Sequence, residues 1–175
     1  MTPKPFTRTH SNYLISSDPT LLSPPSIHAA FSSPALYWCT PLPPATLQLL
    51  LSSSLCLGLY RSTAASSQPV GLGTGPKPEQ IGLARLITDH VSFAYLTDVY
   101  VLPEEQGKGL GTWLVRCVRE VVEGMEGLRR VILVTGEGSE GFYERELGVR
   151  RVEQGRKGLL VMGRVGEGAA EMLKE

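Results

Sequence analysis

Apolar positions change rhythm several times along this chain, and each change marks an element. From Leu55 to Tyr60 and from Gln80 to Thr88 the apolar residues come in short β-rich runs, which predict two paired strands. Phe93 to Leu102 and Arg130 to Thr135 predict further strands, and Val149 to Gln154 and Leu159 to Arg164 two more. Between Leu102 and Arg130 the period lengthens. Leu114, Val115, Val118, Val121 and Val122 share one face of a helix from about Leu110 to Glu123, ended by Gly124 and Gly127. A shorter helix carries Tyr143. Towards the N-terminus, Asn12 to Ser16 reads as a strand and Asp18-Pro19 as a turn. Pro24-Pro25 opens a helix with its body at Ser26 to Ser32, and Pro43-Pro44 opens another before ATLQLLLSS. Proline suits a first helical turn because the N–H it lacks has no partner there.

The remaining segments lack such periods. Residues 1–10 are polar and proline-bearing and read as a disordered tail, and residues 166–175 as a C-terminal tail. Residues 62–79 are rich in Ser, Gly and Pro and read as a flexible hairpin loop inserted between two strands. Gly71, Gly73 and Gly75 imitate a phosphate loop, but no apolar helix follows, and Pro76 and Pro78 would block one. A chain of 175 residues supports one well-formed core, so residues 11–165 are expected to be a single domain.

Charge and cysteine content narrow the partners. With 17 basic and 17 acidic residues the formal net charge is zero, which builds in no attraction to nucleic acid. The pairs Arg129-Arg130 and Arg150-Arg151 flank strands and read as solvated strand ends. Cys39, Cys56 and Cys117 are widely spaced, with no CxxC pair or histidine cluster, so neither a disulfide framework nor a metal site is expected. The first residues lack the apolar core of a secretion signal, and the most apolar stretch, Leu47 to Tyr60, is broken by three serines. No membrane association is expected. A reducing compartment fits, with the cytoplasm as default and the nucleus left open.

The candidate chemistry lies between Asp98 and Val122, where an apolar strand passes through alternating glycines into the long helix. Gly107, Gly109 and Gly111 permit close backbone approach or positive φ, the following helix directs free amides at an anion, and Lys108 adds positive charge. The loop has no Lys-Ser or Lys-Thr pair for a P-loop, and its glycines run GxGxG rather than GxGxxG.

The spacing Gln106, Gly109, Gly111, after the strand ending Val99, Val101, Pro103, resembles the acetyl-CoA motif of the GNAT superfamily of N-acetyltransferases. Downstream, SEGFYERELGV resembles the second half of the GNAT core, with Tyr143 ahead of a Gly-Val pair where the family carries Gly-Phe. From about Asn12 to Arg164 the chain is similar to a GNAT subgroup common among small bacterial and fungal proteins.

The resemblance implies a mixed α/β fold: a mostly antiparallel twisted sheet of six or seven strands, splayed between strands 4 and 5 and flanked by about four helices. It implies acetyl-CoA as co-substrate and no metal. Val99, Tyr100 and Val101 would meet pantetheine through the backbone, with Val99 or Tyr100 polarising the acetyl carbonyl. Gln106, Gly107, Lys108, Gly109, Leu110, Gly111 and Thr112 would hold the pyrophosphate. Tyr143 would contact the coenzyme and protonate its departing thiolate. Asp98 is the carboxylate nearest the splay and the candidate general base; Asp89 with His90 reads more simply as turn chemistry. His28, Tyr37, Trp38 and Tyr95 are candidates for the acceptor pocket, since the family builds that wall from the two early helices. The activity implied is direct transfer from acetyl-CoA to a primary amine in a ternary complex. A small molecule or amino-terminal group is favoured over a basic peptide, for which no acidic groove is visible. The rivals are a non-catalytic acyl-CoA-binding module and a structural partner of a larger acetyltransferase. Acyl-chain preference and a homodimer stay open.

Overall fold

The computed structural model describes residues 5–62 and 77–152. Its single sheet contains β1 (Thr7–His10), β2 (Tyr13–Ser16), β3 (Leu55–Arg61), β4 (Glu79–Thr88), β5 (Phe93–Val101) and β6 (Arg130–Leu133), side by side in chain order. Neighbours are antiparallel except β5 and β6. A parallel neighbour cannot be reached by a hairpin, and α3 (Leu110–Glu123) makes the crossover. The other helices are α1 (Pro24–Phe31), α2 (Pro44–Ser52) and α4 (Glu140–Leu147). This is the mixed α/β, mostly antiparallel arrangement that the resemblance implies.

Period-2 alternation divides the apolar residues between the two faces. On one face Ile15, Leu57, Leu59, Leu86 and Leu96 meet α3 and Leu147 of α4. On the other, Leu83 and Tyr100 meet Ile27 and Phe31 of α1 and Leu47 and Leu51 of α2. Leu114, Val115 and Val118 of α3 are fully buried, each worth about 1.5–3 kcal/mol. Leu110 and Cys117 complete that face, while Val121 is only half-buried. Ser23 caps α1, its hydroxyl accepting from the Ser26 amide at 3.4 Å.

Two expectations are revised. The tail drawn through residue 10 ends earlier, because Thr7–His10 form the edge strand β1. All four residues are exposed, so main-chain pairing to β2 holds the strand, helped by an Arg8 to Glu120 ion pair of 2.7 Å. With β1 added, the expected strands 4 and 5 become β5 and β6, and the splay falls between them as expected: β4 pairs along β5 as far as Val101, whereas β6 pairs only with Phe93 to Leu96. Finally, residues 149–152 leave α4 without joining a strand. Most of the 62–79 insert, the expected strand at Leu159 to Arg164 and the C-terminal tail lie outside the described residues. No helix among the described residues is long and apolar enough to cross a membrane.

Candidate functional site

The site begins where β6 ends. From Thr97 to Val101 the outer edge of β5 has no strand against it among the described residues. The side-chain amide of Gln106 donates to the Val101 carbonyl at 2.9 Å, which fastens the following loop to the last residue of β5. Val99 and Val101 pack towards α3, while Tyr100 faces the other way and meets Phe31 edge-on, 6.5 Å between ring centroids.

The loop then takes two left-handed steps, Gly107 at φ 78° and Gly109 at φ 77°. A Cβ at either position would meet nothing within 4 Å, so glycine is required there by backbone conformation rather than by lack of room. Gly109 is the N-cap of α3 and provides no side-chain cap. Gln106 N–H donates to Pro103 O at 3.2 Å and Trp113 N–H to Gly109 O at 3.0 Å. The amides of Gly107 through Thr112, between them, have no acceptor among the described residues. Successive backbone donors without partners, at the positive end of a 14-residue helix, suit a diphosphate. Gln106 to Gly109 are exposed, whereas the Leu110 side chain is buried and anchors the helix in the core.

Lys108 does not stand free at this loop. Its ammonium is 2.7 Å from Oε2 of Glu105, a carboxylate only 1% exposed that also accepts from Tyr13 at 3.2 Å and from Arg61. The Lys108 hydrogen bond holds the Glu105 carboxyl below its usual value, with Tyr13 and Arg61 acting in the same direction. Sequence reasoning missed Glu105, two of whose partners, Tyr13 and Arg61, are far from it along the chain.

Tyr143 lies half-buried on α4, packed against the α3-side core beside Phe142, with ring centroids 5.1 Å apart. Burial raises its phenol above the usual value, so it keeps its proton at neutral pH. Its hydroxyl has no hydrogen-bond partner among the described residues. Val149, standing in the family's aromatic position, packs on the same core. Arg116 of α3 joins α4 to that face through Glu146 at 2.8 Å. A surface recess of about 440 Å³ near the C-terminal end of α4, lined by Glu144, Arg145 and Arg150 among others, shares no residue with the loop or with β5.

Asp98 occupies a bulge of β5 at φ 48°, where Leu83 pairs with Tyr100 but Arg85 pairs with Thr97. Its Oδ2 accepts from Arg85 Nε at 2.6 Å, with both side chains about nine-tenths buried, and Arg85 Nη1 donates to Ser54 Oγ at 3.0 Å. On its other oxygen, the Cys39 thiol approaches at 3.7 Å and the Thr97 hydroxyl at 3.4 Å. Burial, reinforced by Asp98, pushes the Cys39 thiol up to about 12, so it stays protonated. Asp89 and His90 do form a turn. Asp89 accepts from the Val91, Ser92 and Phe93 amides, and its carboxyl is held below the usual range chiefly by the Ser92 hydroxyl, with those amides adding to it.

The acceptor candidates are assembled only in part. Tyr37 and Trp38 stack edge-on at 5.0 Å, Tyr37 being 56% exposed, and the next residue, Cys39, reaches Asp98. Tyr95 is half-buried on β5, three residues before Asp98. His28 is half-buried on α1, and no aromatic pairing links it or Tyr95 to the Tyr37-Trp38 pair among the described residues.

Comparison with known proteins agrees with this geometry. Residues 50–149 match the model of the Acetyltransferase (GNAT) family. A Gibberella zeae protein with the provisional name of acetyltransferase is 41% identical over 175 residues, covering 95% of this chain and 96% of its own. The crystal structure of a Xanthomonas campestris protein, provisionally an acetyltransferase of the GNAT family, superposes with a TM-score of 0.68 at 29% identity, covering 91% of this chain and 97% of that one. Glucosamine-6-phosphate N-acetyltransferase from Arabidopsis thaliana shares the fold at a TM-score of 0.57 and 14% identity, covering 89% of this chain and 99% of its own. The chain belongs to the GNAT acetyltransferase family.

Proposed function

We propose that this protein transfers an acetyl group from acetyl-CoA to a primary amine, by direct attack within a ternary complex. The observation that carries the reading is the row of amides from Gly107 to Thr112 without a partner among the described residues, following directly on the part of β5 that β6 does not cover. Acetyl-CoA supplies the acetyl group as a thioester. The amides of Gly107 to Thr112 bind its diphosphate, and the backbone of Val99 to Val101 pairs with the amide-bearing arm. A β5 amide at Val99 or Tyr100 polarises the acetyl carbonyl. Tyr143, protonated at neutral pH, delivers its proton to the leaving sulfur.

Asp98 is better suited to fixing the bulge than to accepting a proton. To act as base it would have to release Arg85, and breaking a buried pair by neutralising one partner costs about 3–5 kcal/mol. The amine must then shed its proton to solvent before attack. At pH 7 this costs about 4.6 kcal/mol for an unperturbed lysine amine near 10.4, but about 1.4 kcal/mol for an α-amino group near 8. That difference favours amino-terminal groups and weakly basic small amines over lysine side chains. Tyr37, Trp38, Tyr95 and His28 remain the proposed acceptor wall.

The same commitment of Asp98 favours a second reading, a non-catalytic acyl-CoA-binding module. Thiol release from acetyl-CoA across a panel of arylamines, polyamines, amino acids and peptides separates the two. Turnover with a weakly basic amine, rising with pH as that amine deprotonates, is the expected result. Tight acetyl-CoA binding without amine-dependent thiol release on any class would leave only the binding module.

A further inference from the structure

We propose that Glu105 is a positioning residue for the phosphate loop: through its ties to Lys108, Arg61 and Tyr13 it holds residues 106–112 in their anion-binding shape. The proposal rests on the acetyl-CoA reading above. Gln106 to Gly109 are exposed, yet the residue just before them buries an ionised carboxylate at 1% exposure. A charge so placed is costly unless fully paired, and here two cations and a phenol converge on it.

The partners come from separate parts of the fold. Tyr13 lies on β2, Arg61 ends β3, and Lys108 sits within the loop. Arg61 is also 2.6 Å from Glu79, where β4 begins, so charges alternate in a line from Glu79 through Arg61 and Glu105 to Lys108. One end of the line is fixed to the sheet. The other spans three residues and closes over the left-handed turn at Gly107. Without it, the two glycines are free to sample other shapes, and ordering them becomes a cost of binding.

The sign of the effect discriminates. If the Lys108 charge itself gripped the phosphates, neutralising Glu105 would release that charge and tighten binding. If Glu105 sets the loop's shape, neutralising it weakens binding. Calorimetry with coenzyme A should therefore show Glu105→Gln about tenfold or more weaker than wild type, with Glu105→Asp recovering part of the loss. Turnover at saturating acetyl-CoA should stay within about twofold, so KM moves and kcat does not. A merely structural lesion would lower the folded fraction and carry kcat down with it. Lys108→Met should weaken binding similarly, and the double variant no further, because both break one tie. Should Glu105→Gln fail to fold, Tyr13→Phe, which removes one hydrogen bond to the carboxylate and leaves Lys108 in place, tests the same network, with weaker binding expected and unchanged binding overturning the proposal. Equal or tighter binding by the variants, beside a wild type that binds, overturns this proposal alone; a wild type that does not bind overturns the acetyl-CoA reading and this proposal with it.

Discussion

Gly109→Val is expected to abolish measurable coenzyme A binding while the domain still folds. Gly109 stands at φ 77° with nothing within 4 Å of the place a Cβ would take, so the side chain has room but the backbone conformation does not suit it. A β-branched residue held in that region costs about 1–3 kcal/mol. Relaxing to negative φ would turn the neighbouring amides away from their common focus. Hydrogen bonds to a charged group contribute about 1.5–3 kcal/mol each, so losing two lowers affinity by about a hundredfold or more. Gly111 supplies the contrast. Its φ is helical, and a Cβ there would come no closer than 4.0 Å to Val101 Cγ2, so the protein accommodates Gly111→Ala. Any loss of affinity in that variant comes from the ligand's path. Unchanged affinity in Gly109→Val, measured by calorimetry on folded protein, would remove the loop from the site.

Tyr143→Phe is expected to reduce turnover by about a hundredfold, the lower range for a positioned general acid, with little change in acetyl-CoA affinity. The phenol's value is raised by burial, so the proton is present throughout the neutral range and is lost only at pH above the usual tyrosine value of 10. Wild-type turnover should therefore show no alkaline decline from this group below that pH. Because the hydroxyl bonds to no protein group among the described residues, phenylalanine leaves no orphaned partner and should fold normally. Equal turnover in the two proteins would exclude Tyr143 from the chemistry.

The parts of this fold legible in the sequence are those where side chains carry the pattern. The apolar face of α3 is continuous, and glycines stand at both its ends, so its limits at Leu110 and Glu123 read directly. Strand β1 was illegible for the opposite reason: its four exposed residues, TRTH, contribute main-chain hydrogen bonds but no apolar signal. The glycine loop was legible because backbone conformation selects its residues. The ties that hold it were not, since Glu105 and Lys108 are close in sequence but Arg61 and Tyr13 reach them only across the folded sheet. Asp98 shows the same limit. Its place beside the splay could be read, but Arg85 becomes its partner only through the register of β4 on β5. The acceptor side was least legible, because aromatic residues at Tyr37, Trp38 and Tyr95 serve packing and recognition alike.

The central claim is that the main chain from Gly107 to Thr112 grips the diphosphate of coenzyme A. Amide resonances of the wild-type protein, followed by NMR as coenzyme A is added, test it most directly. The Gly107 to Thr112 amides should shift together and saturably, while those of the Asp89 to Ser92 turn stay in place. Saturable binding that leaves the Gly107 to Thr112 amides unmoved would contradict the account.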